Sequence, residues 1–526
     1  MKNTFTVSFL VLLFAVLMSI PWLVPGCGWA ALFAFVPLLM ADSFAEEKHV
    51  GHFWIYQYCG FVLWNAFATF WVSNATLGGG VFAVLANALQ MSLVFGVFRW
   101  SRKYLHGCLP YILLVTLWVT WEKLYFNAQI SWPWLVLGNA FAGTVKLVQW
   151  YEYTGTLGGS LWIWASNIAV FGILRSWRNS ISYPGIALAL VLLIVPPVIS
   201  LNIYSRYVEK SEGTVDVLIA QPNFDPYEKF SSMSRQEQNN VLLELFSEAD
   251  DSSGMLYIAP ETFTGDVFLN DVEGSLTVRT LNGFISDRKN SSVLLGASTY
   301  KFYPTHSAPS ILARPYGNEG WIESRNSALL LGSGSEPEIC HKGKLVVGVE
   351  LTPFPKVFVP FDNWLSKKMG VNGLMGRDVP QEEVSALHFN GIPFGCAICY
   401  ESVYGEYCTE YVKKGAEFLT VITNDAWWGD TPGYRQHFNY SRLRAIELRR
   451  DIARCGNTGL SAVIDQKGDV LSSTGWWTRT SLAGTLNRNT FKTFFVRYGD
   501  IAGRICTLLS VLLVLLSLVR FFTVEK

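Results

Sequence analysis

The sequence predicts an α/β domain carried by a bundle of about eight membrane helices. Three observations predict it. Apolar stretches approaching the ~20 residues that cross a bilayer recur through the N-terminal part of the chain and once more at its C-terminus. Between them, β-branched runs alternate with segments of helical periodicity. The composition, 50% hydrophobic and 16% charged over 526 residues, is too apolar for a chain wholly in water.

The apolar stretches run from Phe5 to Val24, Gly28 to Ala41, Phe53 to Val72, Val81 to Phe98, Tyr111 to Phe126, Thr156 to Leu174, Gly185 to Leu201 and Ala502 to Phe522. The first follows Lys2 in the manner of a signal peptide, but apolar segments keep coming after it, so it is expected to be retained. If every stretch spans, Lys2, Arg99, Arg102, Lys103, Arg175, Arg178, Arg520 and Lys526 fall on one side, which the positive-inside rule makes the cytoplasm. The loops 25–26, 74–80 and 127–155 then face outward, as does the large segment from Tyr204 to Asp500. In a bacterium with two membranes that side is the periplasm. The expected division is a bundle of about seven helices over 1–203, an outer domain over 204–500 and a last membrane helix over 501–526.

Lys plus Arg and Asp plus Glu both number 41, so no global basic field gathers nucleic acid, and none is expected as a partner. The nine cysteines are odd in number and widely spread, unlike a disulfide framework, so at least one stays free. Cys27, Cys59, Cys108 and Cys506 sit in or beside apolar stretches and read as small hydrophobes.

In the outer segment, Val215–Ala220, Ser292–Gly296, Phe418–Thr423 and Leu460–Asp465 read as buried strands. The segments Arg235–Ala249, Glu401–Lys414 and Tyr440–Arg454 read as helices. Three strand ends carry chemistry: Glu261 after Leu256–Ala259, Cys399 after Phe394–Ile398, and Asn424-Asp425 after Val421–Thr423. Carboxyl ends of strands are where open α/β sheets build their sites. Lys342 precedes an apolar loop, Leu351–Gly376, that mixes Phe354, Phe358, Phe361 and Trp364 with Lys356, Lys367 and Lys368. An apolar run of this length can also be a buried core segment, but its prolines, glycines and lysines favour a lid dipping into lipid headgroups.

A thiol is a weak nucleophile until it loses its proton, so a reactive Cys399 needs a base and a cation, which Glu261 and Lys342 can supply. The oxyanion formed on attack would be met by the Lys342 ammonium and the Tyr400 backbone N–H. Taken singly, each of these residues reads as structural: a buried Cys usually packs, and a lone Glu or Lys is usually a solvated face. Cys396 and Cys399 also form a C-x-x-C spacing, which could be a redox pair or half of a metal site. A redox motif should precede a helix within a compact redox fold, a zinc site would lack close ligands beyond Cys408 and distant His437, and no metal or other cofactor is expected.

These residues resemble a known family. Ala259-Pro260-Glu261, Lys342 with Glu350, Cys399-Tyr400-Glu401 and the run Asn424 to Asp430 resemble the nitrilase (carbon-nitrogen hydrolase) superfamily. Together with Gln436-His437, Arg442 to Glu447, Arg497 to Asp500 and the membrane segments, the chain resembles the apolipoprotein N-acyltransferases.

That resemblance implies a four-layer αββα domain on the helix bundle, in the inner membrane of a bacterium. It implies ping-pong transfer of an acyl chain from a phospholipid, through a thioester on Cys399, to the α-amino group of a diacylglyceryl-cysteine apolipoprotein. Glu261 would be the base, Lys342 the oxyanion and thiolate stabiliser, and Glu350 and Glu401 supports beside Tyr400. Phe230, Phe358, Trp364, Trp427 and Trp428 are expected to contact substrate. Phe230 stands where the family commonly has Trp, so the indole N–H is missing. Ser131 to Leu135 and Glu152 also resemble the family, and read as an interfacial aromatic anchor with a solvated acid. Two other functions use the same residues: an amidase in which water attacks the thioester, and a scaffold that has kept the fold without the activity.

Overall fold

The computed structural model describes residues 2–177, 182–248, 254–334, 336–371 and 373–524, with the side chains of Phe230 and Val524 outside the description. Arg178, Ala249 and Lys526, which the sequence reading used, therefore lie outside the described residues. The chain forms two compact units. One comprises residues 1–207, 431–443 and 497–526, the other residues 208–430 and 444–496.

The first unit is helical. Six helices among the described residues are long and apolar enough to cross a bilayer: Lys2–Leu23, Gly28–Glu47, Leu77–Ser101, Tyr151–Ser176, Tyr183–Arg206 and Ile501–Thr523. Two of the expected spans become 17-residue helices, Phe53–Thr69 and Leu109–Tyr125, about 25 Å long against ~30 Å of hydrocarbon. Tyr183–Arg206 has only 11% of its most apolar window buried, and Ile501–Thr523 only 17%. In water that much bare apolar surface would be costly, whereas lipid covers it. The core of the unit is a cluster of rings, with Phe35 stacked on Trp164 at 4.0 Å between centroids and Phe14, Phe61, Trp64 and Trp118 around them.

Segment 127–155 corrects an expectation. Instead of a solvated loop it makes short 3-10 turns at Pro133–Leu135 and Leu137–Phe141, with Trp134 and Glu152 both buried. Trp134 donates from Nε1 to Gln436 at 2.7 Å, and its carbonyl accepts from Tyr440 at 2.7 Å. The indole thus finds the polar partner that a buried Trp needs.

The second unit is α/β. Its strands are β1 (Thr214–Gln221), β2 (Met255–Ile258), β3 (Thr264–Phe268), β4 (Ser292–Tyr303), β5 (Arg314–Tyr316), β6 (Gly320–Gly332), β7 (Glu338–His341), β8 (Leu387–Phe389), β9 (Ile392–Ile398), β10 (Leu419–Thr423), β11 (Ile452–Gly456), β12 (Ala462–Ile464), β13 (Val470–Ser473) and β14 (Thr480–Asn487). One sheet has the order β14-β1-β2-β4-β6-β5, with β3 against β4 and β7 against β6. The other has the order β13-β12-β11-β10-β9-β8. The centres, β1-β2-β4 and β9-β10-β11, are parallel.

Alternation along β1 explains the packing. Val215, Val217 and Ile219 join Ile398, Ile422 and Cys455 in a core between the sheets. Leu218 and Ala220 face the other way, onto Leu242, Phe246 and Leu281 of the helices Arg235–Ser247 and Leu276–Ser286. With both faces covered, the central strands read as nearly continuous apolar runs.

Two further expectations change. The helix expected to end at Arg454 spans Pro432–Leu448, and Arg454 lies in β11. The segment read as a loop over 351–376 contains a helix, Pro355–Met369, started by a proline at its first turn and stopped by Gly370 at φ 70°.

Candidate active site

The turn after β2 brings Glu261 to the carboxyl end of the first sheet. Residue 262 of that turn is left-handed, with Thr262 at φ 46°. Gly296 of β4 lies directly against it. A Cβ there would meet the Glu261 Cα at 2.5 Å and the Thr262 nitrogen at 2.7 Å, so only hydrogen fits. In the second sheet Cys399 ends β9 and opens a 3-10 turn, Cys399–Val403, itself at φ 52°. A non-glycine residue held there is strained, and such strain gathers at functional sites. Lys342 follows β7, its N–H fixed to the Asn326 carbonyl at 2.8 Å.

The side chains converge. Lys342 Nζ lies 2.9 Å from Glu261 Oε1 and 2.9 Å from Glu350 Oε1. Asn326 Nδ2 donates to the same two oxygens at 2.8 Å each. Glu261 Oε2 accepts from the Asn424 N–H at 3.1 Å, and Glu350 Oε2 from the Val346 N–H at 2.8 Å. Lys342 is 1% exposed, so leaving it without these carboxylates would strand a buried charge.

Burial alone would pull the Lys342 ammonium down, but Glu261, Glu350 and Cys399 outweigh it and hold the group well above the ordinary lysine range. Cys399 moves the other way from an activated thiolate. Burial, then the Glu261 carboxylate, push its thiol well above the usual range, and Lys342 offsets only part of this. At rest the site therefore holds a neutral thiol beside an ion pair. It can still accept a proton from sulfur, place positive charge near a developing oxyanion, and do both without water.

Glu401 is a brace. One oxygen accepts from the Gly343 N–H at 2.7 Å and the Tyr407 hydroxyl at 2.6 Å, the other from the Ile398 N–H at 2.8 Å and the Tyr411 hydroxyl at 3.1 Å. It thereby ties the residue after Lys342 to the residue before Cys399. Burial raises its carboxyl against those donors. Tyr400 is buried, edge-on to Tyr404.

The aromatic residues are less gathered. Trp427 and Trp428 end the 3-10 turn Asp425–Trp428, with Trp427 edge-on to Tyr227 and 37% exposed. Phe358 and Trp364 lie on the Pro355–Met369 helix, where Trp364 packs on Phe361 and Lys368. Phe230 falls in the short helix Pro226–Ser231, its side chain outside the description.

Three residues that sequence reasoning passed over belong here. Asn326 bridges the two carboxylates; an Asn inside the run Asn326-Ser327-Ala328-Leu329 goes against strand preference and was the available signal. Arg454 pairs with Asp425 at 2.8 Å, both fully buried. Lys229 is buried against the Thr262 carbonyl, and burial with the nearby Arg235 brings its ammonium down to about 7.

Two family descriptions match the chain: "Carbon-nitrogen hydrolase" over residues 319–494, and "Apolipoprotein N-acyltransferase N-terminal domain" over residues 14–169. Lys342 and Cys399 fall within the first match, Glu261 before it. The chain is similar to the apolipoprotein N-acyltransferase of Chlorobaculum tepidum, 28% identical over 94% of this chain and 92% of the relative. It is also similar to that of Geobacter metallireducens, 25% identical over 93% and 91%, and to that of Thermotoga maritima, 27% identical over 78% and 71%. With a helical N-terminal part and a carbon-nitrogen hydrolase part both matched, and relatives of one kind aligned nearly end to end, the chain belongs to the apolipoprotein N-acyltransferase family.

Proposed function

We propose that this protein transfers a fatty acyl chain from a phospholipid to the N-terminal α-amino group of a diacylglyceryl-cysteine apolipoprotein. The observation that carries the proposal is the Glu261–Lys342–Glu350 cluster beside a buried thiol. Glu261 takes the Cys399 proton as sulfur attacks the ester carbonyl, and the Lys342 ammonium, with the Tyr400 N–H, steadies the oxyanion. Collapse forms the thioester and expels the glycerol oxygen, which receives the proton from Glu261, so a lysophospholipid leaves. In the second half the acceptor amine attacks the thioester, Glu261 relieves it of a proton, and the sulfur departs as a thiol once that proton returns to it. Glu350 and Glu401 support the arrangement, and Phe230, Phe358, Trp364, Trp427 and Trp428 are the residues assigned to substrate binding. No step calls for a metal or other cofactor.

The same reading takes all eight hydrophobic helices as spans and the second unit as a four-layer αββα domain lying outside the cytoplasm of a bacterial inner membrane, with 1–203 and 501–526 as its anchors. Transfer is favoured over an amidase because a thioester in apolar surroundings meets little water, and the chain carries an extensive apolar helical unit. Intact mass spectrometry after exposure to phospholipid should find one fatty acyl group, mapped to Cys399 and absent in Cys399→Ala. A folded protein that takes up no acyl group would sink the proposal.

A further inference from the structure

Beside the carboxylate cluster lies a cavity of about 340 Å³. Its walls include Ser298 and Tyr300 of β4, Ser324 of β6, Arg314 of β5, and Arg377 and Asp378 of the strap after the Pro355–Met369 helix. Nothing in the chemistry described so far uses it. At ~30 Å³ per water, it has room for a polar group of headgroup size.

Its position follows from strand register. Side chains two apart on a strand share a face, and Ser324 is two residues from Asn326, the residue that grips Glu261 and Glu350. Across the ladder, Ser298 pairs with Asn326 and Tyr300 with Ser324. The cavity therefore begins one rung, about 7 Å, from the reacting groups on the same face of the sheet. The strap is held to the same place. Gly376 packs so tightly that a Cβ would meet the Val349 carbonyl at 1.9 Å, and the Asp378 N–H donates to the Glu350 carbonyl at 2.9 Å.

The wall chemistry selects the ligand. Arg314 donates to the Met375 carbonyl at 2.8 Å, and burial, then repulsion from Arg377, hold its guanidinium below the ordinary arginine range. Arg377 is 7% exposed, pairs with Asp362 at 2.7 Å, and its Nε has no hydrogen-bond partner among the described residues. Two guanidiniums close enough to repel, beside hydroxyls on Ser298, Ser324 and Tyr300, make a site for a tetrahedral oxyanion. Asp378 is the one carboxylate on the wall. It accepts from Ser324, and burial, with Glu350 adding to it, pushes its carboxyl upward.

We infer that this cavity binds the phosphodiester of the acyl donor, so that the donor's headgroup is held while its ester sits at Cys399. The glycerol backbone separates the ester from the phosphorus by a span comparable with the one-rung step. The inference rests on the transfer reading above, and it names which part of the donor is gripped, and by what.

The test compares two donors of equal chains, dipalmitoylphosphatidylglycerol and dipalmitoylglycerol, the second lacking the phosphate. Formation of the acyl group on Cys399 of the full-length protein is followed against donor concentration. In the native protein the phospholipid should half-saturate at a concentration at least about tenfold lower than the diacylglycerol. Arg314→Gln should raise the phospholipid value by roughly tenfold and the diacylglycerol value far less, with Arg314→Lys between them. Equal shifts for both donors, or none, would overturn the subsite. Inorganic phosphate competing as strongly as the lipid would assign the cavity to free phosphate instead. If the native protein acylates from neither donor, the transfer reading fails by itself. The subsite is then judged by equilibrium binding of glycerol 3-phosphate to Cys399→Ala, which Arg314→Gln must weaken if the assignment holds.

Discussion

Glu261 accepts from an ammonium, a side-chain amide and a backbone N–H, a set of donors that fixes its position before any substrate arrives. Its charge also keeps the neighbouring sulfur protonated, and this leads to a pH prediction. The Cys399 thiol lies above its ordinary value, so thiolate accumulates only as the pH rises past the usual thiol range of ~8.5. Alkylation by iodoacetamide, followed from about pH 6 to about pH 10, should be slower than for an exposed cysteine throughout, with no inflection near neutrality. Glu261→Gln removes one cause of the elevation while keeping Lys342, so it should speed alkylation several-fold while abolishing acyl uptake. An inflection below neutral pH in the native protein would mean a preformed thiolate. At this scale the sequence was informative about the candidate site, because Glu261, Cys399 and Asn424 end apolar strands and stand out there. Asn326 left only the faint trace of an amide inside an apolar strand, and Gly296 left none, because their importance comes from cross-strand register, which no local pattern encodes.

The Pro355–Met369 helix is built inside out for a helix in water. Val359, Asp362 and Ser366 are buried, and Asp362 pairs with Arg377, while Val357, Phe361 and Trp364 are between 49% and 64% exposed. Lys356, Lys367 and Lys368 accompany the bare rings. A face of that kind suits the boundary between headgroups and acyl chains. An environment-sensitive bimane on Phe361→Cys should shift to the blue when anionic vesicles are added, and less so at high salt, as the lysines lose their hold. An unshifted spectrum would remove the helix from the membrane surface. Its composition was plain in the sequence, but its helicity was hidden because Pro355, Pro360 and Gly370 read as breakers. Pro355 in fact occupies the first turn, where a missing N–H costs nothing, and Gly370 takes the left-handed stop. The strands of the second unit were easier to read, since parallel strands covered on both faces give unbroken apolar runs.

For the molecule as a whole, arrangement across the bilayer is the property that composition constrains most. Only residues 207–213 separate Tyr183–Arg206 from β1, so whether that helix spans decides on which side of the membrane the chain enters β1. Reporters fused after Arg178 and after Ser211 should report opposite compartments, with the second outside the cytoplasm. Agreement between the two would strike that helix from the spans. The helical unit was legible as apolar lengths, yet its 127–155 segment was not. Short 3-10 turns leave no periodicity, and Trp134 looks identical in sequence whether it sits at an interface or, as here, under a glutamine and a tyrosine.

None of the nine cysteines is in a disulfide, and Cys399, the proposed nucleophile, rests buried with its thiol raised by that burial. Beyond the cytoplasm a standing thiolate would be prey to peroxide and to the enzymes that stitch disulfides into newly exported chains. A sulfur that sheds its proton only when an ester is in place offers those agents almost nothing to attack. On the proposed outward placement of the α/β unit, the elevated thiol of Cys399, a handicap for reactivity when judged alone, would let the proposed nucleophile endure in a corrosive compartment between turnovers.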